Sequence, residues 1–181
     1  ERKDLPIYTI RENLYLTPSS LEMAGIEVEM INMRRREDVL KDLITPLTSQ
    51  FDYILLDCPP SLSLITMNAL AATNKLIVPM MTDPMSSNNL SMMDTLCLKM
   101  QDLNPGLSID YIFFNIYEKG QTMTKIVEAD VRSKYGERVL NTVVRKNNDI
   151  AKSAFEYTDV ISAYPNSNGA KDFQALVDEL L

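Results

Sequence analysis

The sequence predicts an α/β domain with a mostly parallel sheet flanked by helices, and three observations support this class. Short apolar runs of strand length alternate with longer segments whose apolar residues recur at helical spacing. The turns between them are short, and no linker, repeat or low-complexity tract interrupts the chain. The run Tyr53–Leu56 lacks polar alternation, which is typical of strands covered on both faces. We therefore expect one domain over residues 1–181.

The segment ahead of residue 50 predicts one strand and two helices. Leu14 to Leu16 form a short apolar run that ends before a proline. Apolar residues then recur at helical spacing over residues 21–31. A second helical pattern runs from Val39 to Leu47, and Pro46 should kink or shorten it because proline lacks the amide donor.

Asp57 is the first candidate functional residue. It ends the predicted buried strand Tyr53–Leu56 and is followed at once by Cys58, Pro59 and Pro60. In parallel sheets, ligands bind just outside the carboxyl ends of the strands, which is where Asp57 would lie. An acid at this point can equally cap the helix that follows. The residues alone leave both interpretations open.

The rest of the chain continues the alternation of strands and helices. The apolar patterns predict, in chain order, a helix at about 64–72, a strand at 75–81, a helix around 90–100, a strand ending near Asn115, a helix at 122–135, a short strand at 138–144 and a closing helix at 170–181.

Composition excludes several classes of function. The chain has no histidine, so Ser-His-Asp and Cys-His catalysis are excluded within it. Cys58 and Cys97 are too few for a disulfide framework or a zinc site, which favours a reducing cytoplasm. The five glycines never form a phosphate-binding loop. No apolar run approaches the roughly 20 residues of a membrane span.

Charge is distributed unevenly along the sequence. The net charge is -7, yet residues 119–152 hold eight Lys or Arg against four Asp or Glu, a local +4 that leaves -11 for the remainder. Such asymmetry is consistent with a DNA-binding or partner-binding face. It is also consistent with an ordinary solvated surface.

The stretch DYILLDCPPSLSLITMNAL, residues 52–70, resembles the Walker B and switch II segment of the ParA/Soj family. These are deviant Walker ATPases that partition plasmids and chromosomes. Three further stretches are similar to the family: residues 12–44, 74–96 and 163–180. The resemblance implies a P-loop NTPase-like fold. It also implies that this chain is the C-terminal larger part of the ATPase domain, with the N-terminal portion and its Walker A loop missing.

The resemblance assigns nucleotide-site roles to several residues. Asp57 matches the Walker B acid, a catalytic residue expected to help coordinate Mg²⁺, and residues 58–60 match switch II. Asn115 matches an Asn that reads the adenine edge, although a strand-end turn residue is the alternative. Arg145, Lys146 and Asn147 match the loop that encloses adenine, without its usual proline.

The same resemblance raises the question of DNA binding. Lys134, Arg138, Lys146 and Lys152 are the candidate phosphate contacts. Asp149, however, stands where the family places an Arg used for nonspecific DNA binding, and a carboxylate there would repel phosphate.

As a whole, the resemblance implies a partitioning ATPase that uses ATP and Mg²⁺, forms a homodimer with nucleotide and responds to a ParB-like activator. The parent protein is expected to hydrolyse ATP, whereas residues 1–181 alone are expected to be inactive without a phosphate cradle. A membrane cycle is not expected, because the closing helix is acidic. The alternative is a non-catalytic ParA-like interaction module.

Overall fold

A computed structural model describes residues 5–19, 23–61 and 63–181. These residues form two compact units. The first unit comprises residues 5–74 together with 99–107, and the second comprises 75–98 together with 108–181. The single-domain organisation stays a prediction. Within the described ranges, no helix combines the length and the apolar character that a membrane span requires.

The first unit begins with a small antiparallel hairpin. Strand β1, Tyr8–Arg11, pairs with β2, Leu14–Leu16, so the strand expected at 14–16 is confirmed. Three helices follow: α1, Met23–Ile31; α2, Val39–Ile44; and α3, Leu64–Ala72. Helix α2 gives way to a 3₁₀ turn, Thr45–Leu47, so Pro46 shortens the helix as predicted.

Asn68 joins the elements of the first unit. This side chain lies on α3 and is 3% exposed. Its Nδ2 donates to the carbonyl of Arg36 at 2.8 Å, and its Oδ1 accepts from the amide of Leu40 at 3.0 Å. The buried amide therefore links α3 to the start of α2, and every bond it makes satisfies a main-chain group that would otherwise be costly to bury.

The predicted buried strand Tyr53–Leu56 is wrong. These residues form no strand, and Tyr53 and Leu55 are 68% and 88% exposed. A strand requires a neighbour that pairs with its N–H and C=O groups. Among the described residues, none makes a backbone hydrogen bond to this segment. Asp57 consequently follows an exposed segment and not the end of a strand.

The second unit contains the parallel pair that the sequence predicts. Strand β3, Ile77–Met80, lies parallel to β4, Tyr111–Phe114, in the register Ile77 to Tyr111 and Met80 to Phe114. The two strands are joined by α4, Pro84–Met100. The expected strands at 75–81 and ending near Asn115 are therefore confirmed, as is the helix between them.

The expected strand at 138–144 is only partly formed. Residues 136–138 are a 3₁₀ turn. The following segment makes two isolated parallel bridges, Val139 to Ile112 of β4 and Arg145 to Tyr117 beyond the end of β4. The amides of Leu140 and Val144 donate to the carbonyls of Ile112 and Phe114, both at 2.8 Å. We call residues 139–146 the edge segment. It continues the sheet without the full ladder of a strand.

Four helices complete the second unit: α5, Thr122–Tyr135; α6, Asn148–Phe155; α7, Val160–Ala163; and α8, Asn168–Leu180. The helices at 122–135 and 170–181 are confirmed, whereas α6 and α7 are not predicted. Helix α8 packs closely on α6. A Cβ at Gly169 would lie 2.6 Å from Cγ1 of Ile150, closer than real Cβ contacts come.

One hydrophobic cluster of the second unit joins its sheet to α8. Phe113, Leu140, Val144 and Leu176 form one buried cluster. Arg132 of α5 holds the start of the edge segment. Its guanidinium donates to the carbonyls of Val139 and Leu140, at 3.3 and 3.1 Å. The edge segment is thus fixed by packing and by side-chain hydrogen bonds, which compensate for its incomplete ladder.

Candidate functional site

The carboxyl ends of β3 and β4 define one edge of the second unit, and Asn115 lies on it. Its amide donates to the carbonyl of Met80 at 2.8 Å, which ties the two strand ends together. Its Oδ1 accepts from the amide of the next residue, Ile116, at 2.9 Å. The Nδ2 group has no hydrogen bond to the described residues and remains available to a ligand.

The backbone at this edge is unusual. Ile116 has a φ of 53°. A β-branched residue rarely adopts this left-handed conformation, because its side chain crowds the backbone. Such strain is retained where surrounding contacts enforce it, and here the Asn115 side chain holds the amide of Ile116.

The loop Arg145–Asn147 lies beside this edge. The amide of Tyr117 donates to the carbonyl of Val144 at 3.0 Å, and the amide of Lys146 donates to the carbonyl of Tyr117 at 3.2 Å. The structure therefore brings together, within one unit, the two parts of the predicted adenine site: Asn115 and the loop.

The side chains of the loop are engaged with the protein. Arg145 binds Asp172 through its guanidinium, with 2.6 Å between Nη2 and Oδ1. Lys146 pairs with Glu118 at 2.9 Å. Asn147 caps α6, because its Oδ1 accepts from the amide of Asp149 at 2.7 Å. By contrast, no described residue donates to the carbonyls of Arg145 and Lys146, which leaves two acceptors unused.

Two acidic residues that sequence reasoning missed hold the edge segment. Asp172 accepts from the amide of Arg145 at 3.0 Å, and Glu179 accepts from the amides of Asn141 and Thr142, both at 2.7 Å. Burial alone would raise the pKa of each carboxyl, but these hydrogen bonds outweigh it and leave both pKa values below their ordinary range. Nothing in the sequence pairs an acid of α8 with residues 141–145, so no pattern could have found this contact.

Asp57 lies in the first unit. It does not cap α3, whose N-cap residue is Ser63, so the capping alternative is wrong. Asp57 and residues 58–60 are exposed. Although Cys58 is exposed as a residue, partial desolvation of its sulfur and, second, the charge of Asp57 raise the pKa of the thiol, which makes a reactive thiolate unfavourable.

Asp57 is also the candidate ligand for a magnesium ion. No described residue donates a hydrogen bond to its carboxylate, so both oxygens remain available. In the part of the chain that the structure describes, no group of three His, Cys, Asp or Glu could hold a metal by itself. Mg²⁺ commonly uses one or two carboxylates together with water and substrate phosphates. A single free carboxylate fits that partial role.

The candidate DNA contacts of the second unit are largely paired within the protein. Lys134 pairs with Asp130 at 2.7 Å, and Lys146 pairs with Glu118. Lys152 lies 4.7 Å from the ring centre of Tyr164. Arg138 is exposed. The local positive charge is thus partly compensated by neighbours, and DNA binding stays a prediction.

The described residues have the α/β fold of P-loop NTPase-like proteins. Cobyrinic acid a,c-diamide synthase from Mycobacterium smegmatis, solved with ADP and magnesium, has a TM-score of 0.78 at 24% identity, over 96% of this chain and 64% of that one. A McdA–ATP complex from Cyanothece has a TM-score of 0.82 at 18% identity, over 96% and 69%.

Sequence comparison then gives the family. Residues 3–109 match the family described as an AAA domain. The chromosome-partitioning ATPase Soj of Treponema pallidum is 29% identical over 170 residues, which is 93% of this chain and 67% of that protein. The chromosome partitioning protein ParA of Myxococcus xanthus is 31% identical over 169 residues, or 93% and 60%. The chain belongs to the ParA/Soj family of partitioning ATPases. It spans 53% to 68% of the length of the curated relatives it matches.

Proposed function

We propose that the full-length protein is a partitioning ATPase that binds ATP at the carboxyl edge of β3 and β4. The observation that carries this proposal is the pair of unused carbonyls at Arg145 and Lys146, beside the Nδ2 donor of Asn115. Adenine offers an exocyclic amine to such acceptors and a ring nitrogen to such a donor, whereas guanine presents a carbonyl in place of the amine. The edge therefore favours adenine over guanine.

Asp57, in the first unit, is proposed as a Mg²⁺-binding acid on the strength of its match to the Walker B acid of the family. When bound, Mg²⁺ would supply positive charge that offsets the negative charge of the phosphates during transfer. Asp57 would hold that ion, directly or through a bound water, with one of its free carboxylate oxygens. Residues 58–60 would respond to the nucleotide state, since two consecutive prolines restrict the backbone to few conformations.

The partners of the full-length protein are also proposals. A homodimer that forms with nucleotide, a ParB-like activator and a cytoplasmic location follow from membership of the family. The local positive charge of residues 119–152 supports weak, sequence-independent DNA binding by the ATP-bound dimer. Asp149 and the ion pairs of Lys134 and Lys146 oppose strong binding.

A non-catalytic interaction module is the second candidate. It is favoured by the exposed apolar side chains of Tyr53 and Leu55, which are available to a partner protein. Hydrolysis separates the two candidates, because a module that works only through its surface would not turn over ATP.

The decisive experiment measures ATP and GTP affinity and Mg²⁺-dependent hydrolysis with the full-length protein. We expect ATP to bind at least about tenfold more tightly than GTP. Asn115→Ala should weaken ATP binding, whereas Asn148→Ala, an exposed neighbour on α6, should not. Residues 1–181 alone should show no turnover. Equal affinity for ATP and GTP would contradict the adenine site, and an absence of hydrolysis would favour the interaction module.

A further inference from the structure

Helix α8 carries two acidic side chains, Asp172 and Glu179, that hold the edge segment at two points. They lie seven residues apart, which is close to two helical turns and places them on the same side of α8. Both accept main-chain amides of the edge segment. The partners differ in position: Glu179 holds Asn141 and Thr142, whereas Asp172 holds Arg145, the first residue of the proposed adenine loop Arg145–Asn147.

The Asp172 contact is the more extensive of the two. Its Oδ2 accepts from the amide of Arg145 at 3.0 Å and from Nε at 2.9 Å, and its Oδ1 accepts from Nη2 at 2.6 Å. Asp172 is 8% exposed, so solvent competes little for these bonds. One buried carboxylate thus fixes both the main chain and the side chain of the same residue.

We infer that Asp172 is a positioning residue that sets the loop Arg145–Asn147 through its contacts with Arg145. The inference rests on the proposed adenine site. Asp172 engages the main-chain amide of Arg145 and the Nε and Nη2 groups of its guanidinium, so one carboxylate sets both the backbone and the side chain of this residue. The contact fixes the peptide that carries the unused carbonyl of Arg145, one residue before that of Lys146. Lost loop order would weaken binding because ligand binding would then have to restore it.

The test compares Asp172→Asn with Glu179→Gln in the full-length protein. Both substitutions remove a charge from α8, but only the first releases the loop. We expect Asp172→Asn to weaken ATP binding by about tenfold and to reduce the ATP/GTP ratio. Glu179→Gln should lower the thermal midpoint while leaving ATP affinity within about twofold of the wild type. Arg145→Ala should reproduce the effect of Asp172→Asn, and the double variant should lose no more, since the two residues act as one unit.

Backbone amide hydrogen exchange without nucleotide separates this inference from the proposed function. Asp172→Asn should accelerate exchange at Arg145 and Lys146, whereas Glu179→Gln should accelerate it at Asn141 and Thr142. If the wild type binds no ATP while this pattern holds, the proposed function fails and the positioning of the loop by Asp172 stands. Unchanged exchange at Arg145 and Lys146 in Asp172→Asn overturns the inference, as does an equal loss of ATP affinity in Glu179→Gln.

Discussion

Two five-residue stretches of this chain share one pattern, four aromatic or aliphatic residues before a polar one, and differ in structure. Tyr-Ile-Leu-Leu-Asp occupies residues 53–57, and Tyr-Ile-Phe-Phe-Asn occupies residues 111–115. The second forms β4 and its polar end, and Phe114 is fully buried. The first forms no strand, and Leu55 is 88% exposed. Four apolar residues before a polar one are therefore not sufficient to make a buried strand.

The difference lies in the neighbours. β4 is paired along its length with β3, and its other edge is bonded to the edge segment. Residues 53–56 have no such neighbour within the described ranges. The backbone N–H and C=O groups of a strand form their hydrogen bonds with neighbouring strands. An apolar run can therefore be buried as a strand only where other segments pair with it.

The largest expected effect comes from truncating one side chain in each stretch. Phe114→Ala should destabilise residues 1–181 by about 3–5 kcal/mol, because it leaves a cavity in a packed core. Leu55→Ala should change the free energy of unfolding by no more than about 0.5 kcal/mol, because the side chain is exposed. Denaturant unfolding of the two variants measures both. Similar losses would show that residues 53–56 are packed in solution.

The next effect concerns the polar residue that ends the exposed stretch. Asp57→Ala should reduce Mg²⁺-dependent hydrolysis by the full-length protein about 10- to 100-fold. This is the range typical of removing a residue that orients the ligands of a metal ion. The fold should persist, since Asp57 is exposed. Asp52→Ala, an exposed acid in the same segment, is the control and should retain activity. If Asp57→Ala unfolds and activity per folded molecule is unchanged, Asp57 is structural.

Two asparagines, one in each unit, should differ in how much they contribute to the free energy of unfolding. Asn68→Ala should cost about 1–3 kcal/mol, because the amide of Leu40 and the carbonyl of Arg36 lose their partner. Asn115→Ala should cost under about 1 kcal/mol, because its side chain makes one local bond. Thermal and denaturant unfolding of residues 1–181 would check this order, and the reverse order would contradict it.

The pH dependence of stability should differ between variants of the second unit. The pKa of Asp172 is lowered below its ordinary value of 3.8 in the folded state. The stability it contributes is therefore complete above the unfolded pKa and is lost as pH falls through the lower folded pKa. Between about pH 5 and the acid transition, Asp172→Asn should show a shallower loss of stability than the wild type. Identical slopes would mean that Asp172 is unpaired in solution.

The smallest expected effect is on DNA. Asp149→Arg in the full-length ATP-bound protein should strengthen binding to nonspecific duplex and steepen its salt dependence by roughly 0.9 in the log-log slope, the contribution of one phosphate contact. Titrations at two salt concentrations test this. Binding that ignores both salt and the substitution would exclude this face, and an absence of binding at low salt would favour a protein scaffold.

Much of the helical structure could be predicted because its signals are local. The limits of α3 and α5 match the apolar periodicity, and Pro46 ends α2 as its missing donor requires. Helices α6 and α7 were missed, although their caps are readable: Asn147 and Asp159 each accept from an amide two or three residues ahead. These caps would have been a sufficient signal.

The candidate site was less predictable, because its geometry depends on distant contacts. The position of Asn115 could be predicted, because the apolar run before it indicates a strand that ends at this residue. The partner of Arg145 lies 27 residues further along the chain, and no spacing rule connects the two. The same limit explains the failure at residues 53–56, where the sequence contains the apolar run but not the segments around it.

Gly169 links the volume of one side chain to the geometry of the candidate site. A methyl group there would meet Ile150, and the next nearest residue is Asn147, with Cγ 3.5 Å away. Positions 150 and 169 should therefore change together during evolution, with a larger residue at one accompanied by a smaller residue at the other. Since Asn147 also belongs to the proposed adenine loop, a bulkier residue at position 169 should displace that loop and so change the proposed nucleotide affinity.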